Sequence, residues 1–261
     1  MVLGIHDVPD PARRRAERER RRQATHPART KPELVADAPN QVWSWDITKL
    51  RGPVKGVWYH LYTVLDIYSR YAVAHLVAAV EDGELAEALI ADAATRERVD
   101  RDQLTIHADR GAAMTCKTVA QLMTDLKITR SHSRPKTSND NPYIEASFKT
   151  LKYDPSFPAR FGSLQHARQH SEAFYTYYNH EHRHSGIGLH TPASVHHGTA
   201  EIIRTQRQQT LDTAWAAHPE RFTRRPQPPR LPERAWINKP DTTDPADGHR
   251  STSPPPALTP S

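Results

Sequence analysis

The 261-residue sequence has one cysteine, Cys116. No disulfide can form within the chain, and neither a two-thiolate nor a four-thiolate zinc site is available. Long apolar runs are also missing. No stretch approaches the roughly 20 apolar residues of a membrane span, and no apolar signal-peptide core follows the N-terminus. Secretion and membrane insertion are therefore not expected, and a cytoplasmic location fits the cysteine count. Hydrophobic residues make up only 36% of the chain, and the mean hydropathy is −0.77. That suffices for one substantial core, with some of the chain expected to lie outside it.

Positive charge is abundant and unevenly placed. The formal charge is +6, yet residues 13–31 alone hold nine Lys or Arg, among them Arg20, Arg21 and Arg22, against only Glu17 and Glu19. Such an arm suits neutralisation of nucleic-acid phosphates, and a solvated charged helix is the bland alternative. At the other end, ten of the 22 prolines fall between Pro226 and Pro260, which favours extended, poorly packed chain. Three zones follow: a basic arm and linker over 1–40, a core over 41–200, and a C-terminal helix with a largely disordered Pro-rich tail over 201–261. The short run Ala235-Trp236-Ile237 is the one expected anchor in that tail.

Three β-rich runs, 42–50, 58–67 and 71–80, separated by Gly/Pro and Ser-Arg punctuation, predict an antiparallel meander. Helical spacing follows over 84–99, then a short apolar strand at 104–108, a helix over 118–126 and a strand at 128–132. Asn141-Pro142 reads as an N-cap followed by proline at the first helical position, opening a helix to Tyr153. The order β-β-β-α-β-α-β-α is that of an α/β ribonuclease-H-like fold, with a mixed five-stranded sheet flanked by helices.

Within that frame three acids stand out. Asp46 lies mid-strand, where aspartate is intrinsically unfavourable, and the period of two places it beside Ser44 and Thr48. Asp109 ends the apolar run 104–108, at the carboxyl edge of a strand, where open α/β sheets commonly bind ligands. Glu145 falls in the first turn of the last helix, with Lys149 and Lys152 along the same stripe. Each has a bland reading: an exposed strand face, a turn aspartate, and a carboxylate favoured by the helix dipole. Taken together, three carboxylates suit hard, oxygen-seeking ions such as Mg²⁺ or Mn²⁺, two of which can support phosphoryl transfer.

The runs Trp45-Asp46-Ile47-Thr48, Leu65-Asp66-Ile67-Tyr68-Ser69-Arg70, His107-Ala108-Asp109-Arg110-Gly111 and Ser138-Asn139-Asp140-Asn141-Pro142-Tyr143-Ile144-Glu145 resemble the DDE transposases of bacterial insertion sequences, of the integrase-like second-reading-frame type. The resemblance continues through Phe148-Lys149-Thr150-Leu151-Lys152, Tyr178-Asn179-His180-Glu181-His182-Arg183-His184-Ser185-Gly186 and Thr191-Pro192-Ala193. It covers most of residues 40–200. Individually these motifs are weak. Their order, with 35 residues between Asp109 and Glu145, is a spacing that retroviral integrases share. The resemblance implies that Asp46 contacts both metal ions, that Asp109 and Glu145 each complete one, and that Lys149 and Lys152 grip the element's DNA end. It implies two-metal cleavage and strand transfer, a homo-oligomer on transposon-end and target DNA, and action at the bacterial nucleoid. Members carry or acquire an N-terminal helix-turn-helix. Only the basic arm precedes Asp46, so a truncated chain, a downstream start and an upstream-frame helix-turn-helix partner are the open alternatives. A catalytically inactive DNA-binding remnant or transposition inhibitor is the rival function, and a ribonuclease H or junction nuclease a third.

Other residues have plainer readings. Asp66 sits at a turn where Asp and Ser bond local amides and is read as structural. His180, His182 and His184 cannot all share one helical face, and no cysteines complete a zinc set. Arg183 and His184 are expected to touch DNA or cap the helix. Phe174, Tyr175, Tyr177 and Tyr178 read as core more than as a base-stacking platform. Cys116 is expected to be an inert thiol, and His107 a packing residue.

Overall fold

The computed structural model describes residues 32–99, 102–109, 117–134 and 140–240, all within one compact unit that begins at Pro32. Arg20, Arg21, Arg22, Cys116 and the tail beyond Pro240 lie outside the described residues. Among the described residues no helix is long and apolar enough to cross a membrane.

The main sheet has five strands: β2 (Val42–Arg51), β3 (Trp58–Asp66), β4 (Ala72–Ala78), β5 (Thr105–Ala108) and β6 (Thr129–His132). Their spatial order is β4-β3-β2-β5-β6. The first three form the expected antiparallel meander, whereas β5 and β6 run parallel to β2. This mixed topology is the ribonuclease-H-like fold. The β2–β3 connection is tight: a Cβ on Gly52 would lie 2.6 Å from Val57 Cγ1, so any larger residue there would force Val57 to shift. In the β3–β4 turn, Asp66 is fully buried and accepts bonds from the Asn40 N–H and from both the N–H and Oγ of Ser69. These bonds give Asp66 the structural role that its turn chemistry suggests.

Helices cover both faces. The period of two in β2 sends Trp43 and Trp45 to one side, where they pack with Tyr62, Ile106, and Ile90 of α1 (Gly83–Arg96), and with Val119 and Met123 of α2 (Lys117–Asp125). The opposite side packs Leu50, Leu61 and Leu65 against Ile144, Phe148 and Leu151 of α3 (Pro142–Tyr153), and against Phe174, Tyr175 and Tyr178 of α4 (Leu164–His180). Each large apolar side chain buried in this way contributes roughly 1.5–3 kcal/mol. Three of the four aromatic residues in α4 are thus core, while Tyr177 is exposed.

Two short strands add what periodicity did not reveal. β1 (Leu34–Ala36) pairs antiparallel with β7 (Ala235–Ile237), Val35 opposite Trp236. The end of the expected linker and the expected anchor therefore form one small sheet, packed through Ala36, Ala235 and Ile237 onto Val42 and Ile67. Three-residue strands carry too few alternations to register as a pattern. Between α4 and β7 the chain forms α5 (Pro192–His196) and α6 (Ala200–Ala217).

Candidate active site

The parallel ladder between β2 and β5 ends at the pair Trp45 and Ala108. The next residue on each side is an acid, so Asp109, just past the carboxyl end of β5, stands beside Asp46 in the middle of β2, about one strand spacing away. Asp46 is half-buried and Asp109 exposed.

Glu145 comes to them on α3, which is pinned to β2 at both ends. At the start, Ser44 Oγ donates to Asn141 Oδ1, and Asn141 Nδ2 donates to the Trp45 carbonyl at 3.4 Å. At the far end, Lys152 Nζ donates to Thr48 Oγ1 at 2.6 Å. Asp46 lies between Ser44 and Thr48 on one strand face, and Glu145 lies between Asn141 and Lys152 along the helix. Asn141 is the N-cap residue and Pro142 follows it, as the sequence suggests, yet the Asn141 side chain makes no cap bond. It is committed to β2 instead.

Electrostatics show the acids sharing one field. The Asp46 carboxyl is pushed up to about 6, by burial first and then by the negative charges of Asp109 and Glu145, against the Ile47 N–H and Lys152. Glu145 is raised by burial and by Asp109, with Lys149 opposing. Burial lowers Lys152, while Asp46 favours its charged form. Among the described residues no group of three or more His, Cys, Asp or Glu side chains is drawn together closely enough to hold a metal ion. The three acids form an open, repelling set with an all-oxygen donor chemistry that suits a hard divalent cation.

The surrounding residues are fixed in place. His107 is buried, and its Nε2 lies 2.8 Å from the Asp140 carbonyl, so that nitrogen carries the proton while Nδ1 accepts from Ser131 Oγ at 3.0 Å. Burial keeps it neutral. Beyond packing, it holds the residue that precedes α3. Lys149 is exposed on the Glu145 stripe, and Arg183 is exposed beyond α4. His184 is pushed down to about 4 by burial, His182 and Arg70, and its Nε2 lies 3.3 Å from the Tyr178 hydroxyl. Periodicity places Ser44 and Thr48 on the Asp46 face but does not name their partners, which are about 100 residues away. It missed the part played by Asp140.

Two integrase core domain profiles match the chain, over residues 36–138 and 126–192, together more than half of it. The chain carries an integrase core domain, and the relatives it matches are named as insertion-sequence transposases. It is 28% identical over 169 residues to the transposase for insertion sequence element IS904 of Lactococcus lactis, covering 62% of this chain and 66% of that protein. It is 26% identical over 164 residues to the probable transposase for IS1353 of Shigella flexneri, covering 62% and 31%. The chain thus spans between about a third and two thirds of these relatives. Among solved structures, a chain of the simian T-cell lymphotropic virus intasome aligns at TM-score 0.49 and 18% identity, covering 66% of this chain and 60% of that one. The HTLV-2 integrase catalytic core domain in complex with magnesium aligns at TM-score 0.46 and 17% identity, covering 61% and 98%.

Proposed function

We propose that this integrase-core protein catalyses divalent-metal-dependent cleavage of DNA at insertion-sequence ends and joining of the freed 3′ hydroxyl to another phosphodiester. Asp46, Asp109 and Glu145 are the metal-holding carboxylates, within a catalytic core over residues 41–200. The observation that supports this reading is the pinning of α3 to β2 on either side of Asp46, with Asp46 and Glu145 both under the charge of Asp109. Asp46 and Glu145, both raised by burial and by the charge of Asp109, together with Lys152 bonded to Thr48 on the Asp46 strand face, call for added positive charge. Two Mg²⁺ or Mn²⁺ ions bound there would supply activation of the attacking oxygen and neutralisation of the leaving one. The chain's own residues do the rest. Lys149 and Lys152 offer ammonium groups to the phosphates flanking the scissile bond, and Arg183 and the basic arm extend that contact. The protein acts as a homo-oligomer on transposon-end and target DNA, with an upstream-frame helix-turn-helix protein supplying end recognition.

The test is a strand-transfer assay with Mn²⁺, terminal-repeat DNA, the full chain and the upstream-frame protein. Wild type should join ends, and Asp46→Asn, Asp109→Asn and Glu145→Gln should each abolish joining. Salt-dependent DNA binding without any nicking, or full activity in the three variants, would leave a DNA-binding remnant in its place.

A further inference from the structure

We propose that the C-terminal segment Trp236–Asn238 is a clamp that positions Glu145 by holding the start of α3, a role that rests on the reading of Glu145 as a metal-holding carboxylate. Two separate grips carry the inference. In the first, the Tyr143 hydroxyl donates to the Trp236 carbonyl at 2.8 Å and accepts from the Trp236 N–H at 3.1 Å. The Tyr143 ring is held from another side by the Arg70 guanidinium, 4.0 Å from its centroid. In the second, Asn238 Nδ2 donates to Asp140 Oδ1 at 2.9 Å and to the Pro32 carbonyl at 3.0 Å. Asn238 sits at φ 56°, a left-handed conformation that asparagine tolerates better than most residues.

These grips fall on either side of Asn141, which is tied to β2. Asp140 is buried, and three bonds from the backbone N–H and guanidinium of Arg134 engage its carboxylate. Residues 140, 141 and 143 are therefore fixed by five different parts of the chain, His107 of β5 included, just before Glu145, whose N–H makes the first helical bond to the Asn141 carbonyl at 3.3 Å. The far end of α3 has its own tether through Lys152. Losing the clamp should thus loosen the first turn, where Glu145 sits, and leave the rest of the helix in place. The pairing of β7 with β1 delivers the segment to this position across about 200 residues of sequence.

The experiment uses the full chain with Asn238→Ala and Tyr143→Phe, the latter keeping the ring beneath Arg70. Hydrogen exchange at the amides of residues 144–147 should quicken at least about tenfold in both variants, with the amides of β2 and β3 unchanged. Calorimetric titration with Mn²⁺ alone should show affinity weakened by about tenfold, the usual scale when a group orienting a metal ligand is removed. Ile90→Val, in α1 on the opposite face of the sheet, serves as a control for general destabilisation. Wild-type exchange rates in the two clamp variants, or equal loosening of α3 in the control, would overturn the clamp. Should wild type bind no Mn²⁺, the catalytic reading falls, and the exchange rates alone decide the clamp.

Discussion

Asp46 is less stable as a charged group in the folded chain than in the unfolded one. Its folded pKa, about 6, lies above the ordinary aspartate value of 3.8, so between those values the native state binds more protons than the unfolded state. Stability must fall as pH rises through that window, and the penalty is fully present above it. Asp46→Asn is accordingly expected to stabilise the metal-free protein at pH 7.5 by roughly 1–2 kcal/mol, a discounted reading of about 1.4 kcal/mol per pKa unit. The gain should vanish below about pH 4. Thermal melts of both forms at the two pH values check the sign, and added Mn²⁺ should raise the Tm of wild type more than that of the variant. Asp140 has the opposite sign. The Arg134 bonds, first among its causes, hold it well below the usual carboxylate range. Its contribution is present above about pH 4 and is lost as pH falls toward its folded value. Asp46 itself was legible because a mid-strand aspartate needs an explanation. Asp140 was not, because one aspartate before a helix looks like any other turn residue until its partners are in place.

At the scale of elements, β4 is the outer strand of the main sheet, and its edge is closed by side chains. Asn179 of α4 donates to the Ala72 carbonyl at 3.0 Å and accepts from the Ala72 N–H at 2.8 Å. Arg168 Nε donates to the Val77 carbonyl at 2.9 Å. An open strand edge invites pairing with another chain, and these contacts block it. Asn179→Leu would leave a buried donor and acceptor unpaired, at a cost of about 2–6 kcal/mol from two groups at 1–3 kcal/mol each. Urea unfolding of the variant should show that loss, and light scattering should show greater self-association. The strands and helices of the core were visible to within a few residues because alternation and helical spacing persist over several residues. The three-residue β1 and β7 were not, and neither was the diversion of the Asn141 side chain from capping to β2. Capping propensity is local, and here a tertiary bond outcompetes it.

For the whole molecule, the small β1–β7 sheet closes the body by bringing residues near 35 and 236 together. Ile237 is fully buried against Ala36, Val42 and Ile67. Ile237→Ala should cost about 2–5 kcal/mol, and denaturant unfolding should remain one cooperative transition if this sheet folds with the main one. A separate early transition would show that it docks independently. The sequence alone determined the alternation of elements, the face on which Asp46 lies and the three candidate acids, since each follows from backbone periodicity and the chemistry of single residues. Only the tertiary structure decided that the β2–β5 ladder runs out just before Asp46 and Asp109, that α3 is pinned at both ends, and that a C-terminal strand grips its start. Those arrangements depend on hydrogen bonds between residues about 60 to 200 positions apart, and only the folded backbone supplies that proximity.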